Sequence, residues 1–211
     1  MKKIYFIRHG QSEGNVSSVY QSSDSPLTDV GVSQAKRVAE RISRIAFDAC
    51  ISSPYPRAKS TALEVEKMTG KQVEYSDLFV ERIKPSSLLG KAIGSTGSEE
   101  LFTLWEKALC TPGMKAEDGE TFNRITTRAK NALKFLEERE EETLVVVTHG
   151  YFLRALVAFV LFGEELTPHE FKRIQLALGT ENTGLTVFLH DETKKPFPWK
   201  LWIYNDHTHL G

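Results

Sequence analysis

Leu144-Val145-Val146-Val147-Thr148-His149-Gly150 is an apolar, β-branched run of strand length that stops at a histidine and a glycine. Near the start of the chain, Ile4-Tyr5-Phe6-Ile7-Arg8-His9-Gly10 repeats the design. Such runs suit strands covered on both faces, as in a parallel sheet between helices. The intervening sequence supplies those helices. Thr28 can cap a helix to about Ser43, with Val32, Ala35, Val38, Ala39 and Ile42 on one face. Phe47 to Ile51 reads as a second strand, and Pro54 and Pro56 open a helix that stops at Gly70. Gln72 to Tyr75 is a short strand. A helix from Thr121 carries Phe122, Ile125, Ala129, Ala132, Leu133 and Leu136 in register, and an apolar helix comes after Gly150. Gly184 to Leu189 and Lys200 to Tyr204 complete the strands.

This alternation predicts a single three-layer α/β/α domain over residues 1–211 with a mostly parallel central sheet. The pattern loosens between Glu81 and Gly119. There Gly90, Gly94, Gly97, Pro112 and Gly113 mark loops around a helical piece from Glu99 to Leu109. Segment 82–119 is expected to form a lid or a wall of the substrate pocket.

Composition bounds the chemistry. Of 211 residues, 40% are hydrophobic and 26% charged, which fits a folded globular chain. The net charge is -1 with no basic block, so nothing calls for nucleic acid, and an anion site must be a local cluster. Cys50 and Cys110 stand far apart without a CxxC partner, which argues against a disulfide framework or thiolate zinc and fits a reducing cytoplasm. The apolar run Ile4–Ile7 is too short for a signal sequence. Phe152–Phe162 carries Arg154 and is too short for a bilayer span, so no membrane partner is expected.

In an open α/β sheet, ligands bind at the carboxyl ends of the strands. His9 and His149 both sit there, each before a glycine that allows close backbone approach. The helix beyond each glycine offers free N–H groups to an anion. A third strand end, Ile51-Ser52-Ser53-Pro54-Tyr55-Pro56-Arg57, delivers Arg57, and Arg8 precedes His9. Guanidinium groups fit phosphate oxygens in a bidentate way. One strand-end histidine is as readily a structural residue as a functional one, but two matched segments beside two arginines point to one phosphate.

Arg8-His9-Gly10 with Asn15 resembles the RHG signature of the histidine phosphatase superfamily, also called phosphoglycerate-mutase-like. The resemblance continues in order through Leu27-Thr28 with Gly31 and Gln34-Ala35, and Ser52-Ser53-Pro54 with Arg57-Ala58 and Thr61-Ala62. It goes on through Glu81, Gly119-Glu120-Thr121, Val147-Thr148-His149-Gly150 and Asn182-Thr183-Gly184. It implies that His9 attacks phosphorus and carries the phosphoryl group. Arg8, Arg57 and a cationic His149 would surround its oxygens, with Asn15, Gln21 and Gly150 as neutral donors and no metal or cofactor. Glu81 matches the proton donor, with Asp77 as the second candidate. The run after Glu81, Arg82-Ile83-Lys84-Pro85, departs from the commonest pattern, in which a glycine comes sooner.

The expected function is therefore hydrolysis of a small phosphate monoester. Cofactor-dependent phosphoglycerate mutase is the alternative, and a non-catalytic phospholigand-binding module is a third. Arg82, Lys84 and Lys91 suggest an anionic or polar substrate. His207 and His209 read as a frayed tail, His169 and His190 as surface or capping residues, and Trp105, Trp199 and Trp202 as core.

Overall fold

A computed structural model describes residues 1–111 and 113–211; the loop marker Pro112 lies outside the described residues. Six strands, β1 (Lys2–Arg8), β2 (Ala49–Ser52), β3 (Val73–Tyr75), β4 (Thr143–Thr148), β5 (Leu185–His190) and β6 (Trp199–Asp206), form one sheet in the order β3-β2-β4-β1-β5-β6. The first four in that order run parallel, and β5 and β6 join antiparallel at one edge. The mostly parallel α/β domain expected from the alternation is the fold observed.

Alternate strand residues feed two cores. Ile4, Phe6, Leu144 and Val146 pack against α5 (Phe122–Glu137), α6 (Gly150–Phe162) and α7 (Pro168–Ala177). Ile7, Val145 and Val147 pack against α2 (Asp29–Ile42) and α3 (Pro56–Thr69). Every residue from Leu144 to Val147 is fully buried. Each such aliphatic side chain stabilises the fold by roughly 1.5–3 kcal/mol. A third, smaller cluster of Tyr20, Leu88, Trp105 and Ala116 lies under α4 (Thr96–Ala108).

Local signals set the helix ends. Thr28 Oγ1 accepts the Gly31 N–H at 3.0 Å and caps α2. Pro56 begins α3, and Gly70 ends it in the left-handed region at φ 72°. Helix α4 starts at Thr96, earlier than the expected Glu99. Two helices have no sequence signal: α1 (Glu13–Val16) is too short for periodicity, and α7 buries only Phe171.

Three expectations fail. His190 is buried, not a surface residue; it stacks on Trp199 at 4.6 Å, and its Nε2 lies 3.6 Å from Glu137. Trp202 is 51% exposed because it faces outward from β6, where the Lys3 ammonium covers its ring. The C-terminal tail is docked rather than frayed: Arg41 pairs with Asp206, Arg37 donates to the Leu210 carbonyl, and Thr183 bonds His209. Among the described residues no group of three potential ligands could hold a metal ion, and no helix is long and apolar enough to cross a membrane.

Candidate active site

The parallel register pairs Arg8 with Thr148, so His9 and His149 leave adjacent strands side by side. The His9 N–H donates to the Thr148 carbonyl at 3.0 Å, and the two imidazole centroids are 5.0 Å apart. Gly10 is required by packing: a Cβ there would lie 2.5 Å from the Gly31 carbonyl oxygen. The space beside it belongs to α2, where a ligand approach was expected.

His9 is buried, and its Nδ1 lies 2.7 Å from the Gly10 carbonyl oxygen. A carbonyl only accepts, so Nδ1 carries the hydrogen and Nε2 carries the lone pair. The Arg57 Nε–H points at that lone pair from 3.2 Å. Burial first, then the charges of Arg57 and Arg8, hold His9 well below the ordinary imidazole range. At neutral pH this favours an uncharged ring whose lone pair is on Nε2.

His149 is oriented the opposite way. Its Nε2 lies 2.8 Å from Ser53 Oγ, while Nδ1 is buried without a partner. Burial, then Arg57, His9, Lys84 and Arg128, hold it well below the ordinary range. With cations around it and no carboxylate bonded to it, the ring favours the neutral form while no anion is bound; the cationic His149 expected around a phosphoryl group would need that group's negative charge.

Arg57 sits in the first turn of α3. Its Nη1 donates to the Ser22 and Ser23 carbonyls at 3.4 and 3.1 Å. Thr61 Oγ1, one turn on, donates to the Arg57 carbonyl at 2.7 Å and accepts the Gly10 N–H at 3.1 Å. Arg8 donates from Nη1 to the Thr180 carbonyl, while its buried Nε has no partner. A Cβ on Gly150 would lie 2.7 Å from Thr180 Oγ1 and 3.3 Å from Arg8 Nε, so this glycine makes room for the arginine. Asn15 Oδ1 accepts from Ser12 N and Asn182 Nδ2 at 3.0 and 3.3 Å, which leaves the Asn15 amide group as donor. Gln21 Nε2 donates to Ser12 Oγ at 2.7 Å.

Glu81 occupies the start of α6. Its Oε1 accepts from Phe152 N at 3.0 Å and Arg82 N at 2.9 Å, and Oε2 accepts from Tyr151 N at 3.3 Å. The N–H groups expected to meet a ligand anion therefore hold this carboxylate. Asp77 is exposed in a short 3₁₀ turn and does not line the cleft. Beneath Glu81, Arg128 joins Glu120 to the Val80 carbonyl, both at 2.8 Å or less.

A cleft of about 460 Å³ opens over His9. Arg8, Asn15, Gln21 and Glu81 line it beside the histidine, and Arg82, Lys84, Phe102 and Trp105 from segment 82–119 form one wall. Tyr151, Arg154, Gln175, Leu176 and Thr180 form the other. Arg57 and His149 touch His9 but do not themselves line this cleft. Lys91 is exposed and lies outside this cleft. Trp105 is buried, as expected of core, yet it faces the cleft wall with the Arg82 guanidinium 3.5 Å from its ring centroid. Sequence reasoning passed over the supporting residues Ser53, Thr61, Asn182 and Arg128. Three of them lie inside the motifs that carried the resemblance, which was their only signal.

A profile of the histidine phosphatase superfamily (branch 1) matches residues 4–202. The chain belongs to this superfamily. A probable phosphoglycerate mutase, GpmB, of Photorhabdus laumondii is 31% identical, with 100% of this chain and 95% of the relative aligned. Phosphoserine phosphatase 1 of Hydrogenobacter thermophilus is 29% identical over 100% of this chain and 95% of its own. The crystal structure of a mutant phosphoserine phosphatase of Entamoeba histolytica, in complex with phosphoserine, superposes over 100% of both chains with a TM-score of 0.78 and 26% identity. Superfamily relatives with both phosphatase and mutase names thus share the whole length of this chain, which marks it as an enzyme of phosphatase or mutase type.

Proposed function

We propose that the protein is a phosphomonoesterase that hydrolyses a small phosphorylated metabolite through a phosphohistidine on His9. The carrying observation is the tautomer lock: Gly10 takes the Nδ1 hydrogen and directs the Nε2 lone pair toward Arg57. Nε2 attacks phosphorus in line as the ester P–O bond breaks. Glu81 gives a proton to the departing oxygen, then takes one from the water that attacks the phosphohistidine. The P–N bond breaks, and phosphate and neutral His9 are returned.

Arg8 and Arg57 supply fixed positive charge to the phosphoryl oxygens, with Asn15 and the Gly150 backbone as neutral donors and Gln21 bracing the loop that bears Asn15. Ser53 Oγ accepts the Tyr55 N–H at 3.3 Å and can donate its own hydrogen to His149 Nε2. In that tautomer His149 presents Nδ1–H to phosphate, and the incoming dianion favours its protonation.

Hydrolysis is preferred to mutase chemistry by the far side of the cleft. A mutase must grip a second anionic group while a second hydroxyl takes the phosphoryl. Here Arg82 is committed to Glu106 and to the Trp105 carbonyl at 3.1 Å, and Arg154 to Gln175 and the Leu178 carbonyl at 2.8 and 3.2 Å. Lys84 remains, its ammonium held below the usual lysine range by burial. A cleft this size suits a small-molecule ester. The test is phosphate release across a panel of phosphorylated metabolites, with His9→Ala as the control. Isomerisation of 3-phosphoglycerate primed by 2,3-bisphosphoglycerate, with little phosphate released, would replace hydrolysis by mutase chemistry. No turnover on any ester would leave the binding-module alternative.

A further inference from the structure

Arg82 is the next residue after the proposed proton donor, and although it lines the cleft its guanidinium is committed to the protein. Its guanidinium is buried between two aromatic rings, 3.5 Å from the Trp105 centroid on α4 and 4.9 Å from the Tyr151 centroid on α6. Nη1 pairs with Glu106 of α4 and donates to Tyr151 Oη at 3.2 Å, and Nη2 donates to the Trp105 carbonyl at 3.1 Å. Its backbone N–H meanwhile donates to Glu81 Oε1 at 2.9 Å. One residue therefore grips both cleft walls through its side chain and the Glu81 carboxylate through its main chain. The Tyr151 it stacks on also gives its own N–H to Glu81 Oε2. Displacing the guanidinium would free α4, Tyr151 and the turn that carries Glu81 together.

We propose that Arg82 is the positioning residue for Glu81. It fixes the carboxyl against the start of α6 and couples its placement to the α4 wall of the substrate cleft. This rests on Glu81 being the proton donor. Proton transfer is sensitive to placement, because a donor must lie within hydrogen-bond reach of the leaving oxygen. A misplacement of about 1 Å costs on the order of a hundredfold. Such a loss has a signature that loosened folding lacks. An alkyl phosphate leaves as a basic alkoxide and needs the proton. A nitrophenyl phosphate leaves as a stable phenolate and does not.

The experiment compares kcat/KM for an alkyl phosphate and for p-nitrophenyl phosphate in Arg82→Met, Arg82→Lys, Glu106→Gln and Glu81→Gln. Arg82→Met should lose about 10- to 100-fold on the alkyl ester and less than about threefold on the aryl ester, the split expected when only acid catalysis is impaired. Glu106→Gln, which keeps the aromatic stacking, should show the same split more weakly, and Arg82→Lys should restore part of the loss. Equal losses on both esters, or no loss on either, in a variant that keeps its melting temperature would overturn the positioning role. If Arg82→Met does not fold, Glu106→Gln decides by the same criterion. Glu81→Gln separates the two layers. If it shows no split, the assignment of Glu81 as the acid has failed; if it shows the split and the Arg82 and Glu106 variants do not, only the positioning role has failed.

Discussion

Two segments of nearly identical design, Phe6-Ile7-Arg8-His9-Gly10 and Val146-Val147-Thr148-His149-Gly150, end adjacent parallel strands and place their imidazoles 5.0 Å apart. Yet the first presents Nε2 and the second Nδ1. The difference comes from the path of the chain beyond each histidine. After His9 the chain turns into a loop packed on Gly31, which brings the Gly10 carbonyl to Nδ1. After His149 it enters a 13-residue helix directly, and Ser53 of the β2–α3 loop takes Nε2 instead. The same motif thus leaves a different ring nitrogen without a protein anchor in each place, and the Gly10 carbonyl in one and the Ser53 hydroxyl in the other decide which; the proposed roles of nucleophile and hydrogen-bond donor rest on that difference.

The largest effect should come from His9→Ala, expected to cost at least about 10⁴-fold in kcat, because loss of a covalent nucleophile leaves only binding and electrostatics. Steady-state phosphate release measures it. His149→Ala should cost about 10²- to 10³-fold, the scale for one donor to a developing anion. It should still form a phosphoenzyme, slowly, as rapid-quench labelling would show. Equal losses in the two variants would erase the proposed difference in role. Ser53→Ala should cost about tenfold in kcat/KM, the worth of one buried hydrogen bond that fixes the His149 ring. A loss as large as that of His149→Ala would mean that Ser53 touches the substrate.

The smallest effect is on stability. Both histidines have folded pKa values below the unfolded imidazole value of about 6.5. The unfolded chain therefore binds more protons as pH falls through that value, and folding stability should decline below it. Melting temperatures measured from neutral to mildly acidic pH should fall, and less steeply in His149→Ala. Saturating phosphate should flatten the decline further by favouring protonated His149 in the folded state. A melting temperature independent of pH in this range would contradict the neutral assignment of the pair.

Much of this was legible in the sequence because it rests on local patterns. The unbroken apolar runs specify buried strands, Thr28 and Pro56 set helix starts, and a strand end leading into a helix brings Arg57 to the sheet's ligand side. The hidden features depend on contacts far apart in sequence. That Glu81 would cap α6 could not be read, because its partners Tyr151 and Phe152 lie 70 and 71 residues away. Arg82 read as a cation for an anionic substrate because nothing local shows the Trp105–Tyr151 slot that buries it. His207 and His209 looked like a loose tail because the Arg37 and Arg41 contacts that dock this region come from α2. Helix α7 escaped notice because one buried residue makes no stripe.

The phosphoryl carrier can be tested directly by trapping the phosphoenzyme on the millisecond timescale with a phosphate ester and mapping the label by peptide mass spectrometry. The expected result is one acid-labile, base-stable phosphate on His9, absent from His9→Ala and retained in His149→Ala. A label on His149 or on a hydroxyl side chain, or full turnover with no covalent intermediate in any variant, would contradict His9 as the carrier.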